Sequence, residues 1–263
     1  MAKSVWIIAI VLMLASVGMA GKVGKVLRHD GDAARYSIGH MLCAPLHGST
    51  DDYFIAGGIV AAVAASSALD RTVRAEMPHH ENGWRKTVDD IGHAYQGPLV
   101  VFGTAGSLYA AGLAADAPSL RRTGMEIVEA YSIAGAGTQV MKHLVGRKRP
   151  YNEQGPFVFR GPSLKNASLS FPSGDATVAF AMSSVIAAEA KSLPVTIVAY
   201  ALAGMTAFQR LNRDQHWFSD VLGAAVWGSA VGMGVVHWHR KYEMKKSVSL
   251  NAKVSEIQLS FSF

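Results

Sequence analysis

Cysteine and charged residues are both scarce in this chain. Disulfides and a highly charged surface therefore cannot account for its fold. The 263 residues include one cysteine, Cys43, so an intrachain disulfide is excluded and Cys43 is interpreted as a buried apolar residue. Charged residues make up 17% of the sequence and hydrophobic residues 50%, which is apolar for a soluble protein. The length suits a single domain that is large enough to bury a sizeable core.

A basic stripe interleaved with aromatic residues is also missing. The formal net charge is +6, but the basic residues are scattered at the ends of apolar segments and in one motif. Such a distribution favours anion binding and proximity to a membrane over contact with nucleic acid. We therefore expect no nucleic-acid partner.

The first twenty residues have the pattern of a secretory signal. Lys3 precedes an apolar stretch at residues 5–17, and the small-x-small sequence at 18–20 suits cleavage. The sequence therefore predicts a signal peptide at 1–20 and export to a bacterial cell envelope. The alternative, an uncut transmembrane helix, is less favoured because the apolar stretch is short for a span of about 20 residues. Residues 21–52 are polar and mixed, and they are interpreted as an N-terminal arm.

Residues 53–240 contain the segments that we expect to form the core. Six apolar segments, rich in alanine and glycine, predict helices at 54–69, 97–115, 130–141, 176–188, 192–208 and 217–239. The sequence thus predicts an all-α fold, a bundle of about six core helices. Small residues suit both the core of a soluble protein and helices packed within a membrane, and we favour membrane association.

The C-terminal tail, residues 241–263, has a different pattern. After residue 247 apolar and polar residues alternate, which is typical of a strand. The sequence predicts a short β-like tail appended to the helical domain.

Three fixed cations stand at positions suited to binding an anion. Lys142 is followed after six residues by Arg149, and Arg210 lies further along the chain. An arginine fork matches phosphate oxygens in pairs, and a lysine acts as a point charge. Arg147 and Lys148 are interpreted differently, as a basic helix end that complements its own dipole.

The sequence at 171–175, Phe-Pro-Ser-Gly-Asp, predicts the start of a helix. The N-terminus of a helix offers unpaired N–H groups and the positive end of the dipole to an anion. Gly174 would let a ligand approach the backbone closely. Taken alone, these residues would also suit an ordinary capped helix.

His216 and Asp220 are four residues apart, so on a helix they share one face. A carboxylate that accepts the proton of one ring nitrogen fixes the tautomer and leaves the other nitrogen free. That free nitrogen could attack phosphorus, as an activated nucleophile does. Together with the cations and the helix start, the pair indicates a site that handles phosphate, at one end of the bundle.

These residues resemble the type 2 phosphatidic acid phosphatase family, which includes bacterial acid phosphatases and vanadium haloperoxidases. The family pattern is K-x6-R-P, then P-S-G-H, then S-R-x5-H-x3-D. The resemblance implies an all-helical bundle in which His216 forms a phosphohistidine and Asp220 orients it. It also implies that five residues cradle the phosphate: Lys142, Arg149, Ser173, Gly174 and Arg210.

The chain departs from the family pattern at two positions. Gln209 replaces a serine, which is a mild change, and Asp175 replaces the histidine that serves the family as general acid. An ordinary aspartate is ionised at neutral pH, has no proton to give and repels phosphate. Three explanations stay open: Asp175 is an acid with a raised pKa, the enzyme works at acidic pH, or the site binds phosphate and turns it over slowly.

The resemblance therefore implies a phosphatase that acts on phosphomonoester or diphosphate groups, with lipid phosphates favoured over small soluble substrates. The alternatives are a soluble nonspecific acid phosphatase, a phosphate-binding pseudoenzyme and a vanadate-dependent haloperoxidase. No cofactor is expected, and vanadate would bind as a phosphate mimic. No metal site is expected either, because the adjacent His79 and His80 would point apart on a helix. The site is expected to face the periplasm, in a membrane-associated or integral inner-membrane protein.

Overall fold

The computed structural model describes residues 2–77 and 83–260. In these ranges nine α-helices are joined by turns and short 3-10 segments, and no strand longer than a single bridge is present. The helices are α1 Ala2–Cys43, α2 Thr50–Ser66, α3 Asp70–Glu76, α4 Trp84–Tyr95, α5 Pro98–Ala114, α6 Pro118–Val145, α7 Gly174–Ala190, α8 Leu193–Asn212 and α9 Phe218–Ser260. The all-α prediction is confirmed.

Helix α7 lies at the centre of the bundle and packs against α6, α8 and α9. Its buried residues include Met182 and Val185, which join Val235 of α9 in the apolar core. Two glycines of α9 allow the close approach of its backbone to α7. A Cβ atom at Gly228 would lie 2.2 Å from the carbonyl oxygen of Thr177, so the two helices could not pack this closely with a larger residue there.

Helix α6 ends in a left-handed glycine that turns the chain into the loop before α7. Gly146 has φ 60° and its N–H donates to the carbonyl oxygen of Lys142, a common helix ending. A Cβ atom at Gly146 would lie 1.8 Å from the carbonyl oxygen of Gly161. The turn therefore requires glycine, and it directs residues 147–173 back across the end of the bundle.

The N-terminal part of the chain is one long helix. Residues 21–43, from the predicted arm, belong to α1, which packs along α9. The interpretation of Cys43 as a buried residue is wrong, because it is exposed at the last position of α1, outside the core. Cleavage after residue 20 stays a prediction.

The predicted β-like tail is wrong for residues 241–260, which continue helix α9. The sequence after residue 240 contains neither glycine nor proline, so nothing in it ends the preceding helix. Adding residues to an existing helix costs less free energy than nucleating a new element. The alternating pattern was therefore not enough to make these residues a strand. Residues 261–263, the end of the predicted tail, lie outside the described residues.

Several helices present apolar surface to the outside of the bundle. Thr50–Glu76 and Phe218–Ser249 are long and apolar enough to cross a membrane, and α4 with α5, bent by 58°, would make a third span. On α2, the side chains of Phe54 and Val60 are 76% and 68% exposed. An exposed apolar helix of this length suits contact with lipid.

Candidate active site

The structure places all eight predicted site residues at one end of the bundle. They come from the last turn of α6, the following loop, the start of α7, the end of α8 and the start of α9: Lys142, Arg149, Ser173, Gly174, Asp175, Arg210, His216 and Asp220. The backbone N–H of Ser173 donates to the carbonyl oxygen of Asp220, at 3.1 Å, and so joins the start of α7 to the start of α9.

His216 is buried, and its ring is held by a backbone group. Its Nδ1 lies 2.8 Å from the carbonyl oxygen of Ser170 and 3.7 Å from the nearer carboxylate oxygen of Asp220. A carbonyl oxygen can only accept, so Nδ1 carries the proton and Nε2 keeps its lone pair. Burial lowers the pKa of His216 to about 4, and the charges of Lys142 and Arg149 act in the same direction. The imidazole is therefore neutral at pH 7.

The sequence did not predict the contact between His216 and Ser170. It predicted that Asp220 alone would orient the imidazole. Any residue can supply a backbone carbonyl, so no side-chain pattern could have indicated it. The Ser170 side chain takes part as well, because its hydroxyl donates to Asp220 Oδ2 at 2.5 Å. Ser170 thus links the imidazole to the carboxylate.

Asp220 is fully buried, and both of its carboxylate oxygens accept hydrogen bonds. Oδ2 accepts from the backbone N–H of Trp217 at 2.9 Å in addition to the Ser170 hydroxyl, and Oδ1 accepts from Arg147 Nη1 at 2.6 Å. Donors on both oxygens fix the carboxylate in place. Asp220 therefore stands beside His216 as a fixed negative charge.

Arg147 lies at the centre of a buried ion network behind His216. Its side chain is 3% exposed, and Nη2 donates to Asp70 Oδ2 at 2.6 Å while Nη1 donates to Ser219 Oγ at 2.8 Å. The interpretation of Arg147 as a basic helix end is therefore wrong, since it pairs with Asp70 and Asp220 inside the protein. Asp70 was missed altogether, because 77 residues of sequence separate it from Arg147.

Lys142 approaches the N-terminus of α7. Its Nζ donates to the carbonyl oxygen of Leu169 at 2.8 Å, and a Cβ atom at Gly174 would lie 3.6 Å from its Cε. Burial lowers the pKa of Lys142 to about 8, and the positive charge of Arg149 adds to the effect. Lys142 is thus still mostly charged at pH 7.

Among the buried donors that have no hydrogen-bond partner in the described residues, two belong to the predicted phosphate site. These are the hydroxyl of Ser173, a residue with 0% exposure, and Nε of Arg149. The two Nη atoms of Arg149 are held by Gln215 at 2.7 Å and Asn166 at 3.1 Å, which fixes the guanidinium. A buried donor without an acceptor is costly, and an oxyanion would satisfy both groups.

Asp175 forms an ion pair with Arg210. Arg210 Nη1 donates to Asp175 Oδ2, and the two side chains are 12% and 37% exposed. In this arrangement the carboxylate accepts a hydrogen bond from Arg210. Arg210, one of the three cations predicted to hold phosphate, is therefore already paired. Phosphate would therefore have to compete with Asp175 for Arg210.

No cluster of three or more histidine, cysteine, aspartate or glutamate side chains is arranged to hold a metal ion in residues 2–77 and 83–260. The pair His79 and His80 lies outside those residues.

Comparisons with known proteins relate this chain to one family. The family model described as the PAP2 superfamily matches residues 123–244. Among solved structures, LpxE from Aquifex aeolicus is similar, with 18% identity and a TM-score of 0.50 over 65% of this chain and 93% of that one. A transmembrane PAP2 type phosphatidylglycerolphosphate phosphatase from Bacillus subtilis gives 19% identity and a TM-score of 0.49, over 79% and 97%. The sequence matches no curated protein. Residues 123–244 thus match the PAP2 superfamily, in agreement with the resemblance named from the sequence.

Proposed function

We propose that the protein is a membrane-associated phosphatase that hydrolyses phosphomonoester or diphosphate groups of lipids, with His216 as nucleophile. The observation that carries the proposal is the neutral, buried imidazole of His216. Its Nδ1 is held by the Ser170 carbonyl, which leaves Nε2 free to attack. An activated nucleophile with an orienting partner is the expected arrangement for covalent catalysis.

The cradle would bind the phosphate before the attack. Lys142, Arg149 and the first-turn N–H groups of α7 supply positive charge and donors, and the hydroxyl of Ser173 supplies a further donor. His216 Nε2 then forms a bond to phosphorus as the bond to the leaving oxygen breaks. Water hydrolyses the phosphohistidine in a second step and releases phosphate.

Asp175 is the residue that would have to protonate the leaving oxygen. In its charged form it binds Arg210 and offers no proton. In its protonated form it would release Arg210 to the phosphate and could act as general acid. We therefore expect slow turnover at neutral pH. The Asp175–Arg210 pair also supports a second candidate, a phosphate-binding protein with very slow turnover.

The exposed apolar helices support a lipid substrate and a location at the membrane. Phosphatidic acid, phosphatidylglycerol phosphate and undecaprenyl diphosphate present a phosphate at a membrane surface, where a site at the end of spanning helices could reach it. The N-terminal pattern supports export, with the catalytic end facing the periplasm. Soluble phosphomonoesters are the competing substrates.

The experiment is phosphate release from phosphatidic acid in detergent micelles between pH 3.5 and 9, with p-nitrophenyl phosphate as soluble substrate. Activity should fall as pH drops towards 4, where His216 becomes protonated, and as pH rises above 8, where Lys142 loses its charge. His216→Ala should abolish release, while His143→Ala, whose ring bonds the Gln139 carbonyl at the surface, should retain it.

Other outcomes would identify the alternatives. A preference for p-nitrophenyl phosphate would favour the soluble acid phosphatase, and stoichiometric vanadate binding without turnover would favour the binding protein. Bromide oxidation after addition of vanadate would favour the haloperoxidase. Release that survives His216→Ala would show that the proposed nucleophile is wrong.

A further inference from the structure

A second charged cavity lies at the end of the bundle opposite the catalytic residues. It has a volume of about 430 Å³ and lies between α1, α6 and α9. Its charged and histidine lining residues are Lys25, His29, Asp30, Arg121, Arg122, His239, Glu243 and Lys246. Arg122 and Lys142 are 20 positions apart on α6, which is about 30 Å along a helix. The cavity is therefore separate from the phosphate cradle.

The cavity has an excess of positive charge. Four of its twelve lining residues are lysine or arginine, and two are aspartate or glutamate. Asp30 is already engaged, because it accepts hydrogen bonds from Tyr109 at 2.9 Å and Arg121 at 3.3 Å. Lys25 and Lys246 form no ion pair among the described residues, and Lys246 Nζ lies 5.9 Å from the ring centre of Tyr242 at the cavity. The two lysines are thus available to an anion.

Buried groups beneath the cavity hold Arg122 in place. Arg122 Nη2 donates to Glu189 at 2.5 Å, and Arg240 Nη2 donates to the same carboxylate at 2.9 Å. Glu126 adds little negative charge, because burial raises its pKa to about 9 and keeps it neutral at pH 7. Nε of Arg122 is buried without a hydrogen-bond partner in the described part of the chain. Arg122 and Arg240 thus share one carboxylate, which leaves this part of the wall with a net positive charge.

Aromatic side chains beside the cavity suit a membrane–water boundary. The rings of Tyr36 and Tyr242 lie 5.5 Å apart, and His29 of the cavity wall meets Tyr242 edge-on at 5.7 Å. Next to them, the ammonium of Lys241 lies 4.6 Å from the ring centre of Trp238. Tryptophan, tyrosine and lysine concentrate where spanning helices leave the hydrocarbon region. Helix α9 reaches this cluster directly from its apolar segment.

We propose that this cavity binds the phosphate-bearing headgroup of an anionic phospholipid, without turning it over. Lys25 and Lys246 donate to the phosphate oxygens, and Arg122 supplies a fixed positive charge behind them. Basic pockets between spanning helices are typical sites for anionic headgroups. The bound lipid belongs to the leaflet opposite the catalytic end. The inference rests on membrane association and does not depend on catalysis by His216.

The test uses the full chain in neutral detergent and measures binding of phosphatidylglycerol by native mass spectrometry. Phosphatidylglycerol is a phosphodiester, so it is not a substrate for a phosphomonoesterase. Lys25→Glu with Lys246→Glu should weaken binding by about thirtyfold or more, since each lysine near a lipid surface contributes roughly a factor of five. Phosphatidylcholine should bind much more weakly than phosphatidylglycerol.

Lys245→Glu is the matched control, because Lys245 neighbours Lys246 on α9 but faces the ring of Tyr36 and does not line the cavity. It should change binding by less than about threefold. An equal loss in this variant, or unchanged binding in the double variant, would overturn the proposal. Displacement of the lipid by millimolar inorganic phosphate would show a site for free phosphate instead. A wild-type chain that lacks phosphatase activity would refute the proposed function and leave this binding result intact.

Discussion

At the scale of single residues, we expect Asp175 to control both the charge of the proposed phosphate site and the supply of a proton. Its carboxylate pairs with Arg210, which the motif spacing assigns to phosphate. A histidine here would remove the ion pair of Arg210 and could donate a proton near neutral pH. We therefore expect the residue at position 175 to decide whether bound phosphate is released efficiently.

Two substitutions at Asp175 separate these effects. Asp175→His should raise phosphate release at pH 7 by up to about 10²–10⁴-fold, the usual contribution of a general acid. Asp175→Asn should free Arg210 and tighten vanadate binding without raising turnover, because an amide has no acidic proton. The measurements are phosphatidic acid hydrolysis and vanadate titration at pH 5 and pH 7. A wild-type chain faster than Asp175→His at both pH values would show that the aspartate is the better acid here.

At the scale of elements, the network around Arg147 fixes α3, the loop after α6 and the start of α9 to one another. Asp70 contributes an ion pair to Arg147 and accepts the backbone N–H of Ser219 at 2.8 Å. All of these groups are buried. The first turn of α9 carries Asp220, so the network sets where the carboxylate stands relative to His216.

Removing Asp70 should therefore damage both stability and activity. Asp70→Ala leaves Arg147 with one carboxylate and should cost about 3–5 kcal/mol, as loss of one partner of a buried ion pair does. Asp90→Ala is the control, because Asp90 forms an exposed pair with Lys86 and should cost at most about 1 kcal/mol. Melting temperature in detergent and turnover of phosphatidic acid are the readouts. Equal melting temperatures for the two variants would contradict a structural role for the network.

The sequence could predict the elements that depend on local pattern. The apolar segments predict the core helices, and the motif spacing predicts the residues now found at one end of the bundle. It could not predict Asp70 or the Ser170 carbonyl, because these contacts depend on tertiary placement across many residues. The prediction of a strand-like tail was wrong because it relied on the alternating pattern alone. The tail contains no residue that would end α9, so the helix continues through it.

At the scale of the whole molecule, apolar surface on the outside of the bundle distinguishes a membrane protein from a soluble one. Val60 lies in the middle of α2, and its side chain is 68% exposed. If α2 faced water, a lysine at position 60 would leave the stability of the protein unchanged or raise it. In lipid, a lysine at the centre of a span costs about 2.5–3.5 kcal/mol on insertion scales.

Val60→Lys should therefore reduce the fraction of the protein that resists carbonate extraction from membranes. Leu164→Lys serves as the control, because Leu164 is 87% exposed in the loop at the catalytic end, where we expect water. That variant should remain in the membrane pellet like the wild type. If the wild type itself were extracted by carbonate, or if Val60→Lys stayed in the pellet as fully as Leu164→Lys, α2 would not face lipid. The exposed apolar face would then have to be covered by protein instead.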